Sequence, residues 1–169
     1  MPRLVDQALD AIGDTEPAVA ADGIRLAASF FEHSHGRTEG LDREEVLAEP
    51  AGPADLARLR GHLVDLVRAG VPAPAAGAAV FALGKLYDPG LTGFFVEVLQ
   101  RYLRGDANVL YQAMIALDNL DTDVFAGRRS MSVLEEAENR ALAAEFLGRF
   151  DTGGAGPVGA GAAPGPAGG

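Results

Sequence analysis

The chain has 169 residues, 48% of them hydrophobic, which is enough for one domain with its own core. Its 14 Lys and Arg stand against 24 Asp and Glu, and this net charge of -10 argues against nucleic acid as a partner, since phosphate binding needs clustered cations. The absence of Cys excludes disulfides, a thiolate nucleophile and cysteine-ligated metals, and favours a reducing, cytoplasmic setting. We expect neither a signal peptide nor a membrane span, because no apolar run approaches ~18 residues.

The acidic residues are unevenly distributed. Residues 1–52 hold eleven Asp or Glu against four Arg, whereas residues 53–121 hold seven against six basic residues. Two interpretations stay open for this acidic N-terminal third. It keeps the protein in solution, or it steers a basic partner towards the surface.

The first predicted helix follows the turn that ends at Pro17 and continues through Ala27 and Phe30. Glycine and proline then interrupt residues 33–52, which we interpret as an exposed loop insertion with at most a short helix over 41–48.

The next two helices follow from apolar residues spaced three and four apart. One spans about 53–69, starts at Pro53 and stops at Gly70; its apolar stripe is Leu56, Leu59, Leu63, Leu66 and Val67. The other starts at Pro72 and ends at the Asp88-Pro89-Gly90 turn; its stripe is Ala79, Val80, Leu83 and Leu86.

Two further helices meet at Gly105 and Asp106. The apolar face from Phe94 to Leu103 predicts a helix closed by Gly105 in a left-handed conformation, and Asp106 caps the helix that continues to Leu120.

A last helix is expected to be capped by Ser130 or Ser132 and to end near Phe150, with an apolar stripe of Leu134, Ala141, Leu142, Phe146 and Leu147. Residues 151–169 are dominated by Gly, Ala and Pro and are predicted to form a flexible, disordered tail. The folded domain therefore spans residues 1–150.

An internal similarity links the predicted helix that starts at Asp106 to the earlier one that starts at Pro72. At an offset of 34 residues, Ala113 aligns with Ala79, Ala116-Leu117 with Ala82-Leu83, and Leu120 with Leu86. This register, with the Leu83-to-Pro89 string and the Gly105-Asp106 junction, resembles HEAT and HEAT-like repeats of the phycobilisome lyase type. The resemblance is best over residues 73–121. It implies an all-α fold, a short right-handed α-α superhelix of about three helix pairs.

Few residues are suited to catalysis or to binding a metal. His33 and His35, next to Glu32 and Glu39, are weak candidates for a metal site, and we favour the alternative that they cap a helix end. His62 is expected at the surface. We identify no catalytic residue, no cofactor site and no phosphate-binding loop, and therefore expect no enzyme and no cofactor.

The sequence favours a protein-protein interaction module, a scaffold or adaptor that presents the second helix of each pair to another protein. The expected partner-binding residues are polar or amphipathic groups off the buried stripe: Asn108, Tyr111, Gln112, Asp118 and Asn119. A more specific form is an acidic inhibitor or immunity-type protein for a basic partner. The alternative is an enzyme or enzyme subunit of the chromophore-lyase type, which the family resemblance implies. The oligomeric state stays open.

Overall fold

A computed structural model describes residues 1–128, 132, 133 and 135–153, with the backbone alone for 151–153. Over these residues the chain forms seven α-helices and no β-strand, so the predicted all-α class is confirmed. The helices are α1 Leu4–Ile12, α2 Pro17–Ser34, α3 Pro53–Arg68, α4 Ala73–Gly84, α5 Thr92–Tyr102, α6 Ala107–Asp118 and α7 Glu136–Gly153. Short 3-10 helices span Glu44–Leu47 and Pro89–Leu91. In this part of the chain, none of the helices has both the length and the apolar character that crossing a bilayer requires.

The first six helices form three pairs, because α1 packs against α2, α3 against α4 and α5 against α6. Only four residues connect the two helices of each pair, so each second helix runs back along the first. The second helices form a row, with α4 in contact with both α2 and α6. The right-handed superhelix expected from the sequence stays a prediction.

Small residues allow the helices of this row to lie close together. Ala79 and Ala82 of α4 are fully buried, as are Ala113 and Ala116 of α6, which stand 34 residues later. The backbone of Gly84 comes so near to α6 that an added Cβ would lie 3.4 Å from the Cβ of Ala116. The aligned positions of the internal similarity therefore face one shared core.

Four phenylalanines fill the widest parts of that core. Phe30 and Phe31 come from α2, Phe95 from α5, and Phe125 from the connection after α6, and each is at most 1% exposed. Burying one such side chain contributes about 1.5–3 kcal/mol. Phe125 thereby anchors a connection whose described residues form no helix or strand.

The structure confirms the predicted helix cap at Asp106, whereas the prediction of a left-handed Gly105 is wrong. The Asp106 carboxylate accepts hydrogen bonds from the backbone N–H groups of Asn108 and Val109, at 2.9 and 3.0 Å. Gly105 does not adopt the expected left-handed conformation. Arg140 of α7 instead donates to the carbonyls of Leu103 and Gly105, at 2.7 Å each, and so satisfies the end of α5 without a left-handed turn.

The apolar stripe predicted for α7 is confirmed at Leu142, Phe146 and Leu147 and wrong at Ala141. Ala141 is exposed, while Ala143 is fully buried together with Leu142, Phe146 and Leu147. Because alanines flank Leu142 on both sides, residue type alone did not select the buried one. The predicted cap Ser130, Leu134 of the predicted stripe and residues 154–169 lie outside the described residues, and α7 continues to Gly153 rather than ending at Phe150.

The segment 33–52 is less exposed than expected. Its 3-10 helix, Glu44–Leu47, packs against α2 and buries Val46 completely, and Leu41 is 7% exposed. These two apolar side chains attach segment 33–52 to the helix row, although most of the other residues of the segment are exposed to solvent.

Gly23 marks the closest approach between α1 and α2. A Cβ added there would lie 2.7 Å from the Cβ of Ala11 and 2.8 Å from the backbone nitrogen of Ile12. We expect Gly23→Ala to lower the free energy of unfolding by about 1–3 kcal/mol, because the two helices must separate.

The matched control is Gly61→Ala in α3, where an added Cβ meets no atom within 4 Å. This variant should raise stability by about 0.5–1 kcal/mol, since alanine favours helix over glycine. Urea unfolding, monitored by far-UV circular dichroism, measures the free energy of unfolding of both variants. Equal effects of the two substitutions would contradict the packing described here.

Candidate binding surface on the second helices

Phe81 is the most prominent apolar group on the row of second helices. Its side chain is 47% exposed, although it belongs to a helix whose other large side chains, Val80 and Leu83, are fully buried. Grooves lie on both sides of it: the α4–α6 groove and the α2–α4 groove. Phe81 lines both and forms the ridge between them.

The α4–α6 groove is shallow, with a volume of about 30 Å³. Gln112, Ile115 and Asn119 of α6 line one side, and their spacing of three and four residues places them on one helix face. Phe81 and Lys85 line the other side. The groove thus combines an apolar ridge with two side-chain amides.

The five partner-binding residues predicted from the sequence are only partly brought together. Gln112 and Asn119 line the α4–α6 groove, and the side chain of Gln112 donates to the Asn108 side chain at 3.3 Å, so Asn108 adjoins the same face. Tyr111 and Asp118 are half-buried and line neither groove.

The α2–α4 groove is larger, about 270 Å³. On the α2 side it is lined by Ile24, Arg25, Ala28, Ser29 and Glu32, which recur at intervals of one, three and four and follow one face of the helix. The apolar members are buried, and Arg25 is exposed.

The opposite side of this groove comes from α4 and from segment 33–52. Ala78, Phe81 and Lys85 of α4 recur at helical spacing, and Gly40 and Asp42 complete the lining. The residues that make segment 33–52 pack against α2 therefore also place part of that segment beside the groove.

Each end of the α2–α4 groove carries an ion pair. Arg25 Nε lies 3.5 Å from the carboxylate of Asp42, and Lys85 Nζ lies 3.8 Å from that of Glu32. The Lys85 ammonium also lies 4.5 Å from the centroid of the Phe81 ring, a cation-π distance. Charges of both signs therefore line a groove with apolar walls.

Arg43 holds segment 33–52 against α2. Its guanidinium donates to the Asp22 carboxylate at 2.7 Å, to the Asp22 carbonyl at 3.2 Å and to the Glu45 carboxylate at 2.6 Å. The hydrogen bond from Arg43 lowers the pKa of Glu45 below its ordinary value of 4.5, and the same bond raises the pKa of Arg43.

The histidines contact protein groups. His35 Nε2 donates to the carbonyl of Leu86 at 2.5 Å, and its ring meets the Tyr87 ring edge to face at 5.4 Å. The His35 ring thus donates to a carbonyl just after α4, while its backbone N–H donates to the Glu32 carbonyl at the end of its own helix α2. His33 is half-buried, and His62 is exposed and donates to the Arg58 carbonyl. Nowhere in the described ranges do three potential metal ligands of the His, Cys, Asp or Glu type come together.

Comparisons with protein-family models, with curated proteins and with solved structures found no match to this chain.

The sequence analysis missed three residues that define this surface: Phe81, Ser29 and Lys85. Phe81 could have been found, because it is the one large apolar residue of its helix off the predicted stripe, and Lys85 is the only lysine of the chain. Ser29 carries no such signal. Its place beside a groove depends on how α4 and segment 33–52 pack against α2.

The Arg43 contacts predict a stability effect that depends on pH. Arg43→Gln should lower the free energy of unfolding at pH 7 by about 1 kcal/mol, because it removes a partly exposed ion pair and a hydrogen bond to a backbone carbonyl. A lowered carboxylate pKa stabilises the folded state above the ordinary pKa, and this contribution is lost as the pH falls through the folded-state value. The difference between wild type and variant should therefore shrink below pH 4.5.

Thermal unfolding between pH 7 and pH 3 measures this difference. Arg104→Gln is the control, since Arg104 is exposed and forms no ion pair with the residues the structure describes. A pH-independent difference between wild type and Arg43→Gln would show that the Glu45 carboxylate does not contribute.

Proposed function

We propose that this protein is a non-catalytic protein-protein interaction module of HEAT-like build, and that Phe81 and the two grooves beside it form its binding surface. The exposure of Phe81 is the observation that carries the proposal. The predicted partner-binding residues Gln112 and Asn119 lie on the same surface.

Protein interfaces gain most of their affinity from a few side chains that the partner covers. Aromatic side chains surrounded by polar groups dominate many binding surfaces, because their burial removes a large apolar area from water while the rim forms hydrogen bonds. Phe81 is flanked by side-chain amides on α6 and by Lys85 on its own helix. A partner that covers Phe81 also reaches these polar groups.

The acidic N-terminal third supports a more specific proposal, an inhibitor or immunity-type protein for a basic partner. Several of its carboxylates form ion pairs within the chain, including Asp6, Asp22 and Glu45. Asp10 and Glu16 are exposed and form no ion pair with the described residues. Carboxylates of this second kind are available to attract a basic protein.

Phe81→Asp tests the binding surface. A protein that the wild type retains from lysate of its source cell would be purified, and its Kd measured with both forms of the module. We expect Phe81→Asp to raise the Kd about 30-fold or more, because the charge prevents burial of the anchor. Circular dichroism should show an unchanged helical fold, since the side chain is already half-exposed.

Leu47→Asp is the matched control, since Leu47 is 46% exposed and receives the same new charge on the 3-10 helix. It should leave the Kd within about twofold of wild type. If both variants bind the purified partner equally well, Phe81 is not the anchor. If the wild type retains no protein at any salt concentration, the interaction-module proposal is wrong.

The electrostatic form of the proposal predicts an effect on association rate. Asp10→Asn with Glu16→Gln should slow association about threefold at low salt and reduce its salt dependence, while dissociation stays unchanged. The control is Asp65→Asn with Asp121→Asn, which removes two exposed carboxylates outside residues 1–52 that form no ion pair with the described residues. Surface plasmon resonance at several salt concentrations measures both rates. Equal slowing by the two double variants would exclude steering by the N-terminal third.

The enzyme alternative of the chromophore-lyase type and the cytoplasmic location stay predictions from the sequence. An enzyme of that type would be tested by the colour of a tetrapyrrole bound to the purified protein.

A further inference from the structure

Ser29 lies on the wall of the α2–α4 groove with a hydroxyl that has no hydrogen-bond partner. Its residue is fully buried, and its Oγ contacts no donor or acceptor. Leaving a buried hydroxyl unpaired costs about 1–3 kcal/mol. Because the Oγ has almost no exposed surface, a molecule in the groove forms this hydrogen bond only when the hydroxyl rotates towards it.

The Glu32–Lys85 ion pair near Ser29 is also incompletely satisfied. The two side chains are only 24% and 22% exposed, yet their charged atoms are 3.8 Å apart, too far for a hydrogen bond. In contrast, the contacts of Arg43 with Asp22 and Glu45 measure 2.7 and 2.6 Å. The Glu32–Lys85 pair is therefore the partly buried pair that retains unused donors and acceptors beside the groove.

Polar and apolar groups are separated along the groove. Glu32 follows Ser29 by three residues, about 4.5 Å along the helix, so both lie near Lys85 at one end. Ile24 and Ala28 of α2 and Ala78 of α4 form apolar walls between this end and the Arg25–Asp42 pair at the other end. The volume of 270 Å³ falls just below the range of about 300–1,000 Å³ for small-molecule sites, so the ligand must be small.

We infer that the α2–α4 groove binds a free α-amino acid with an apolar side chain. The ligand carboxylate accepts hydrogen bonds from Lys85 and Ser29, its ammonium pairs with Glu32, and its side chain lies against Ala28 and Ala78.

The mixed charges select a zwitterion. An apolar carboxylate without an ammonium would bring its charge next to Glu32 with no compensation, and an apolar amine without a carboxylate would do the same beside Lys85. A zwitterionic α-amino acid carries both charges on groups attached to one carbon atom and is neutral overall. This inference concerns one of the two grooves that the interaction module proposed above also includes, because Phe81 lines the α2–α4 groove.

Isothermal titration calorimetry of the full chain would test the ligand class. The probes are L-leucine and L-phenylalanine, with three analogues: N-acetyl-L-leucine lacks the ammonium, L-leucinamide lacks the carboxylate, and glycine lacks the side chain. We expect saturable binding of at least one of the two amino acids. Each analogue should bind about tenfold more weakly or not at all, since each lacks one of the three contacts.

Two variants and one control locate the site. Ala78→Leu fills the groove and should abolish binding, and Lys85→Met should weaken it about tenfold or more by removing the ammonium. Ala57→Leu introduces the same side chain at an exposed position of α3 and should bind like wild type. Because Lys85 is the only lysine, amine-reactive labelling reports ligand protection at Nζ separately from any change elsewhere along the chain.

Several results would overturn the inference. Absence of heat with every probe up to about 10 mM, with the protein folded, would show that the groove takes no amino acid. Equal binding of N-acetyl-L-leucine would exclude the role of Glu32, and unchanged binding by Ala78→Leu would place the ligand elsewhere. None of these results affects partner retention by the wild type, so failure here is distinguishable from failure of the interaction module.

Discussion

Close packing of alanine and glycine between neighbouring helices is the constraint on which this fold depends. Ala79 and Ala82 of α4 and Ala113 and Ala116 of α6 are buried where the two helices pack, and Gly23 brings α2 against α1. Since these side chains are small, the helix axes approach closely, and larger groups such as the core phenylalanines fill the space beside them. The three pairs can therefore share one continuous core.

The same packing determines which groups remain available for binding. Once α4 uses its small residues and Leu83 to contact its neighbours, its remaining face carries Ala78, Phe81 and Lys85 towards the grooves. The two surfaces proposed here therefore share a single helix face. An aromatic ridge serves the protein partner, and the depression beside it, next to Ser29, serves a small zwitterion.

The ion pairs that hold the fold together and the ion pairs beside the α2–α4 groove differ in length. Those that hold structure together are short, as in the pairs of Arg43 with Asp22 of α2 and with Glu45. Those beside the α2–α4 groove are longer than 3.4 Å. Exposed pairs contribute little to stability in either case. Their distances matter here because short pairs leave few hydrogen bonds for a ligand, whereas long ones leave several.

Helical periodicity, turn residues and the Asp106 cap determined the all-α class and the approximate bounds of α2 to α6, because local spacing and capping chemistry decide where a helix starts and stops. Tertiary contacts decided what local chemistry does not encode: Arg140 replaced the left-handed Gly105 turn, and the neighbours of α7 selected Ala143 over Ala141. The sequence also placed Gln112 and Asn119 correctly on one helix face. It did not identify the groove at Ser29, because a groove exists only between elements, and its lining comes from residues far apart in the chain.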